Sequence, residues 1–433
     1  MIRQLLAGII LISALASSPV AETSAPPVMV TATNTLNVRD FRAKGDGQTK
    51  DTVAVQKALD ACSSAGGVVV VPSGNYLMGS VVISSNTTLQ LERGANLSGS
   101  PDIADYPVVR VRWEGEFSQG HRALICSDKA DNITITGPGS IIGPPLRVSQ
   151  LRNPRGPALI ELTNGTNVNL NGFTTQYQRL WSIHLLYCRN LTARNLTIRS
   201  ILVNGDGIDV DSCQDVFIDH CNIDTGDDAI ALKSGRGMEA VRLGRPMQNV
   251  VIKDCTLSSS IFAGLAIGSE MSGGIRDVRV ENCLISGRQN GIFIKSREGR
   301  GGFIEDIVGE NLTINNSPTF LTIRLLKTGI QASEPVPGAV EKWARVHNIS
   351  FHDIKAKNVG QLVNAQDIPS ERPVDGLSLD NITGTCGKGI LLANIVNVKF
   401  AGIDVTGFQG PLLTTNNVQG AGLSNAAAPV SSQ

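Results

Sequence analysis

The chain has no surplus of either charge: 38 Lys and Arg face 38 Asp and Glu across 433 residues. Proteins that bind nucleic acid or an anionic membrane through their overall field carry a basic excess, so neither partner has support here. A polyanionic ligand would have to be met by local lysines or arginines. Long apolar runs are also missing. After the first sixteen residues, no stretch stays apolar for the ~20 residues that a membrane-crossing helix requires. There is no Cys/His spacing suited to zinc and no glycine-rich phosphate loop after a strand pattern, so no cofactor is expected.

The one apolar run lies at the amino terminus. Arg3 precedes Leu5 to Ala16, which closes on Ala14-Leu15-Ala16, the small-x-small pattern of a signal-peptidase site. Residues 1–21 therefore read as a signal peptide cut between Ala16 and Ala21, and the mature chain as a soluble protein, secreted or periplasmic. Export permits disulfides among the eight cysteines, Cys188 with Cys213 for example. Against that, Cys221, Cys255 and Cys283 hold the same place in "IDHCNI", "IKDCTL" and "VENCLI". Equivalent positions in stacked coils make a buried ladder of free thiols, packed as small hydrophobes.

The dominant pattern is an internal repeat of irregular period, about 25 to 40 residues. Its unit is Asn or Asp, then apolar, polar, apolar, as in "NITITG", "NLTIRS", "DVFIDHCNI", "NVVIKDCTL", "DVRVENCLI", "DIVGENLTI" and "NISFHDIKA". Each reads as a short β-branched strand opened by an Asx turn. One such unit cannot bury its apolar face alone, whereas stacked coils can, and the all-β reading is a solenoid from 37 to 410. A propeller or sandwich competes, but the even strand-turn spacing of either is absent. Ahead of the repeats, "KDTVAVQKALDACSSAGG" places Val55, Leu59 and Cys62 at helical spacing, with Asp51 to cap and Gly66-Gly67 to stop: an N-terminal cap helix. Val108 to Arg122 and Lys327 to Trp343 read as surface loops, and 411–433, richest in Gly, Ala, Ser and Asn from Asn416, as a flexible tail.

The densest acidic cluster is "NGDGIDVDSC" followed by "TGDDAIALKSG". Asp206 and Asp227 stand 21 residues apart, one short coil, and so can sit on adjacent rungs ~5 Å apart with Asp228 beside them. Crowded carboxylates have their pKa values driven apart, which yields one acid and one base, the pair that glycoside hydrolysis requires. Aspartates at solenoid turns can instead cap backbone amides or bind Ca²⁺.

These segments resemble the Asn-Thr-Asp and Gly-Asp-Asp motifs of the polygalacturonase family, family 28 of the glycoside hydrolases. "AGLAIGSEMSGG" resembles its Gly-His-Gly segment, "GIFIKSREGRGG" its Arg-Ile-Lys motif, and "RWEGEF" a loop of its exo-acting members. "VRDFRAKGDGQTKDTVAVQKALDAC" and "GGVVVVPSGNY" are similar to its N-terminal part, so the resemblance runs from Val38 to Gly302 in the family's order. It implies a right-handed parallel β-helix of the pectin-lyase-like kind, acting as a monomer on pectic poly- or oligosaccharide, by inversion and exo attack. By position, Asp227 resembles the general acid, Asp206 and Asp228 the pair that activates water, Asn204 the motif asparagine, and Lys295 the lysine that holds a sugar carboxylate. Lys233 is a further substrate contact, or a salt-bridge partner of the aspartates. Inversion generally places acid and base about 6.5–9.5 Å apart.

Three positions depart from the pattern. Gly205 replaces threonine, Ala263 the histidine, and Phe293 the arginine. Alanine cannot hydrogen-bond a sugar, and a phenyl ring cannot make the forked contact that guanidinium offers a uronate. At least one sugar beside the scissile bond is therefore expected to be something other than unmodified galacturonate, rhamnose or a substituted residue first, unless Arg297 or Arg300 restores the contact. Trp181 is a sugar platform or core; Glu270 and Arg300 are structural or functional. The competing functions are a β-helical lyase, which needs Ca²⁺ and a base, and a non-catalytic glycan-binding solenoid.

Overall fold

Each repeat opens where the sequence places its Asx residue. In the computed structural model, which describes residues 34–63, 65–327 and 342–424, Asn132, Asn195, Asp215, Asn249, Asp277, Asp306 and Asn348 all adopt φ between 53° and 58°. Asn and Asp tolerate this left-handed turn because their short polar side chains bond locally. In successive coils these side chains stack. Asn132 donates to Asn86 (2.7 Å), Asn167 to Asn132 (2.7 Å) and Asn190 to Asn167 (2.6 Å), so each amide satisfies the one before it.

After the turn, alternate residues point inward. Val216 and Ile218 pair with Val250 and Ile252, and these with Val278 and Val280, and all are at most 2% exposed. Stacked equivalent positions thus form one continuous core. Strands of the coils pair in parallel with the strand one coil on: Ile160–Thr163 with Ile183–Leu186, then Ile208–Asp211, then Ile230–Lys233. Two further ladders run beside this one, through Thr166–Asn171, Arg189–Arg194 and Gln214–Asp219, and through Thr174–Gln178, Thr197–Ser200 and Asn222–Thr225. This is the right-handed parallel β-helix, right-handed as parallel crossovers are, and not a propeller or sandwich, whose neighbouring strands run antiparallel. Among the described residues the only antiparallel strand pair is a hairpin, Val108–Trp113 with Glu116–His121. The stretch expected to be a surface loop therefore has structure of its own. Of Lys327 to Trp343, residues 328–341 lie outside the described residues.

The cap helix α1, Thr52–Ser63, buries Val55, Ala58, Leu59 and Cys62 against the first coil. Asp51 does not cap it with its side chain. Its carboxylate accepts from the amides of Lys44 (2.7 Å) and Gly45 (2.9 Å), and the first helical bond goes to its carbonyl, from Val55 N at 2.9 Å. At the other end the helix runs past the expected boundary. Leu413–Ala421 pairs in parallel with residues from Ile390 to Lys399. It is a polar strand held through its backbone, so no apolar alternation marks it; residues 425–433, like the signal segment at 1–21, lie outside the described residues. All eight cysteines are free thiols. Cys188 donates its amide to the sulfur of Cys213 (3.2 Å) and Cys221 its amide to that of Cys255 (3.4 Å), the ladder rather than bridges.

Candidate active site

The register that stacks the coils also brings the aspartates together. Ser182 N bonds Asp206 O (2.9 Å) and Gly207 N bonds Asp228 O (3.0 Å), so Asp206 and the Asp227-Asp228 pair stand at the same end of two adjacent strands. The 21-residue spacing is one coil, as expected. One carboxylate oxygen from each of the three lies within 4.8 Å of the others. The oxygens come this close because the strands that carry them are hydrogen-bonded neighbours only ~4.8 Å apart. All three are buried, at 4%, 7% and 3% exposure.

Each carboxylate has its own restraint. Asp227 accepts from the backbone amides of Asn204 (2.7 Å) and Asp228 (2.9 Å). Asn204 thus serves through its N–H, presented by a left-handed φ of 63° that suits asparagine. Asp228 accepts from Lys295 Nζ at 2.9 Å and from Ala263 N at 3.2 Å. Asp206 lies 3.7 Å from Lys233 Nζ, whose nearer partner, at 2.6 Å, is Asp209. Burial, then repulsion from Asp228, pushes the Asp227 carboxyl up to about 6, against the pull of the Asn204 amide and Lys295. Burial and the charges of Asp209 and Asp227 raise Asp206 well above the usual carboxylate range. Burial alone would lower Lys233, but Asp209 and Asp206 outweigh it and keep the ammonium charged. The cluster therefore retains a proton under conditions where isolated aspartates would be ionised. Its donors suit a hard cation in number and type, yet two ammonium groups already supply the neutralising charge.

Asp209, which the sequence reading passed over, belongs to this cluster; it alternates with Asp211 in "IDVD" and projects from the same face. Asp211 holds Arg112 of the hairpin at 3.0 Å, which is how a segment a hundred residues earlier comes to lean on the site. Trp181 is not a sugar platform. It is 3% exposed, stacks on Trp113 with centroids 4.1 Å apart, and carries the Lys233 ammonium 3.8 Å over its ring. Glu270 is also buried, and the charges of Lys233, Arg300 and Lys295 overcome the effect of that burial and hold it ionised.

The departures fit their surroundings. A Cβ on Gly205 would come within 2.7 Å of Leu202 O, so this turn has no room for a threonine. Ala263 packs with Ala231 and Ala266 under the half-buried ring of Phe293. Where a histidine and an arginine were expected, the wall beside Lys295 is apolar.

A family model described as glycosyl hydrolases family 28 matches residues 62–400. The chain belongs to this family. It is a polygalacturonase-family glycoside hydrolase, 33% identical over 363 residues to a probable polygalacturonase of Vitis vinifera, covering 79% of this chain and 73% of that one. It is 27% identical over 430 residues to an exo-poly-alpha-D-galacturonosidase of Dickeya chrysanthemi, covering 86% and 68%. The family 28 exopolygalacturonase of Yersinia enterocolitica shares the fold, with a TM-score of 0.77 at 22% identity over 89% of this chain and 78% of that one.

Proposed function

We propose that this hydrolase cleaves glycosidic bonds of pectic poly- or oligosaccharide, with Asp227 as general acid and Asp206 and Asp228 as the pair that activates water. The observation that carries the reading is the buried trio itself, three carboxylates drawn from two adjacent coils with oxygens within 4.8 Å. Asp227 donates its proton to the glycosidic oxygen as the bond to the anomeric carbon breaks. A water attacks that carbon and gives its proton to the Asp206–Asp228 pair. A water held at ~2.7 Å from each of two oxygens can bridge a gap of up to ~5 Å, so the short spacing leaves room for one. Asp206 competes for the same proton, and the titration belongs to the pair. The donor role falls to Asp227 because two backbone amides keep its pKa near 6, where the proton is readily released. Lys295 pairs with Asp228 at 2.9 Å and, partly exposed, has donors left for the substrate, while the buried Lys233, 3.7 Å from Asp206, opposes the burial that raises that carboxyl.

The short separation also favours a second reading, a double displacement with retention, in which Asp206 or Asp228 attacks the sugar directly. Proton NMR of the first-formed reducing end separates them: an inverted anomer supports water attack, and a retained one supports the covalent route.

The apolar wall that bears on the substrate is the Phe293 ring, which lies over the buried Ala231, Ala263 and Ala266. It suits the face or methyl group of a neutral, deoxy or esterified sugar and gives a uronate only Lys295 to pair with. Rhamnogalacturonan oligomers are the expected preference over unmodified homogalacturonan. Higher catalytic efficiency on homogalacturonan would contradict this, and a gain of that activity in Phe293→Arg would support it. The enzyme acts outside the cytoplasm after removal of residues 1–21. A mature mass starting between Ala16 and Ala21 supports export, and recovery with Met1 in place contradicts it.

A further inference from the structure

Lys233, Lys295 and Arg112 each have a carboxylate partner in or beside the trio. Arg155 is different. Its Nε and Nη2 are buried and have no hydrogen-bond partner. A covered guanidinium without an anion is costly, since its desolvation is not repaid by pairing. Burial lowers its pKa to about 9, with the charges of Glu114, Asp206 and Asp209 opposing that fall. None of these acids pairs with it: Lys233 holds Asp206 and Asp209, and Glu161, which faces the same cavity, is engaged by His184 at 3.0 Å.

The surroundings form a built slot. Arg155 lies over the Trp113 ring, Trp113 stacks on Trp181, and Trp181 carries the Lys233 ammonium, so a continuous cation and aromatic stack connects Arg155 to the trio. The cavity that Arg155 shares with Trp113, His121, Glu161 and Trp181 has a volume of about 20 Å³. That is room for one water-sized group, too little for a sugar ring and enough for a carboxylate oxygen. Nε and Nη2 form one edge of the guanidinium, and both can donate to a single carboxylate oxygen that enters the cavity.

Arg155 precedes Ile160–Thr163, two coils before the strand that follows Asp206, and Phe293 lies two coils after Ile230–Lys233. At ~4.8 Å per coil Arg155 stands ~10 Å before Asp206, and Phe293 lies on the opposite side, its ring 5.2 Å from the Lys295 ammonium that pairs with Asp228. We propose that Arg155 is the carboxylate-binding residue of a uronate subsite on the amino-terminal side of the cleavage point, opposite the apolar wall at Phe293. This rests on the pectic reading above. The enzyme then reads an alternation, a uronate on the Arg155 side and a neutral or deoxy sugar on the Phe293 side.

The test uses binding, so that it does not depend on turnover. In the Asp227→Asn background, affinity is measured by calorimetry for a galacturonate-containing pectic oligomer and for the same oligomer with its carboxyl groups reduced to alcohols. The parent should prefer the acidic oligomer. Adding Arg155→Gln should weaken that oligomer about 10- to 100-fold and leave the reduced one unchanged, with Arg155→Lys in between because it keeps the charge without the fork. Equal weakening of both oligomers means a structural role, and no change means that the slot holds only water; either result overturns the proposal while leaving the pectic reading intact. Failure of the parent to bind either oligomer overturns the pectic reading and this proposal with it.

Discussion

Asp227 is pulled two ways, raised by burial and by Asp228, lowered by the amides and Lys295 that favour its anion, and the balance leaves it near 6. Activity that needs its proton should therefore decline as pH rises through about 6, read as a pH profile of kcat/KM. The same shift has a consequence for stability. A carboxyl raised above its ordinary 3.8 binds its proton more tightly when folded, so its contribution is fully present below 3.8 and is lost as pH rises through about 6. Asp227→Asn should then be more stable than the wild type at pH 7 by ~1–3 kcal/mol, with the difference vanishing below about pH 4. Urea denaturation at the two pH values checks this, and equal differences at both would contradict it. Lys295→Met removes the partner of Asp228 and should leave that carboxylate without a counter-charge in the cluster, lowering kcat by about 10-fold or more with the fold retained. An unchanged kcat would show that Lys295 acts on substrate affinity alone.

Among the elements, the strands were legible and the hairpin was not. The Asx-apolar-polar-apolar unit appears in the sequence because the fold needs a left-handed turn and an inward alternation at the same place in every coil, and Asn132 through Asn348 meet that need. Val108–His121 carries no such unit, and what it contributes, Arg112 to Asp211 and Trp113 against Trp181, depends on where a hairpin folds over coils far along the chain. Asp209 and Arg155 escaped notice for the same reason: their roles come from neighbours in space. Leu413–Ala421 was missed because its inward residues are few and its backbone bonds leave no trace in composition. The cap helix was legible from Val55, Leu59 and Cys62, although Asp51 serves the preceding loop. Leu59, 1% exposed, seals the first coil, so Leu59→Ala should cost ~2–5 kcal/mol in denaturant unfolding and promote association through the uncovered strand edges. A cost under about 0.5 kcal/mol, the range of ordinary surface substitutions, would mean that the cap is dispensable.

At the scale of the whole molecule, the solenoid determines how the site is made. Stacking coils at one strand spacing brings aspartates from successive repeats closer than separate loops would be held, and their crowding keeps a proton in the cluster. The stack also gives the surface a direction, with Arg155, the trio and Phe293 in order along the axis, so that a linear glycan can be read sugar by sugar. The polygalacturonase motifs marked the centre of this line, and the departures at Ala263 and Phe293 marked one end. In the proposed mechanism the trio performs the hydrolysis with Asp227 as proton donor. Its most direct test is the turnover of the best pectic oligomer by Asp227→Asn beside the wild type near pH 5, with products identified by mass. Hydrolysis by the wild type and a loss of about 10²- to 10⁴-fold in kcat for the variant, with its folding unimpaired, are expected; wild-type turnover by Asp227→Asn would contradict the assignment.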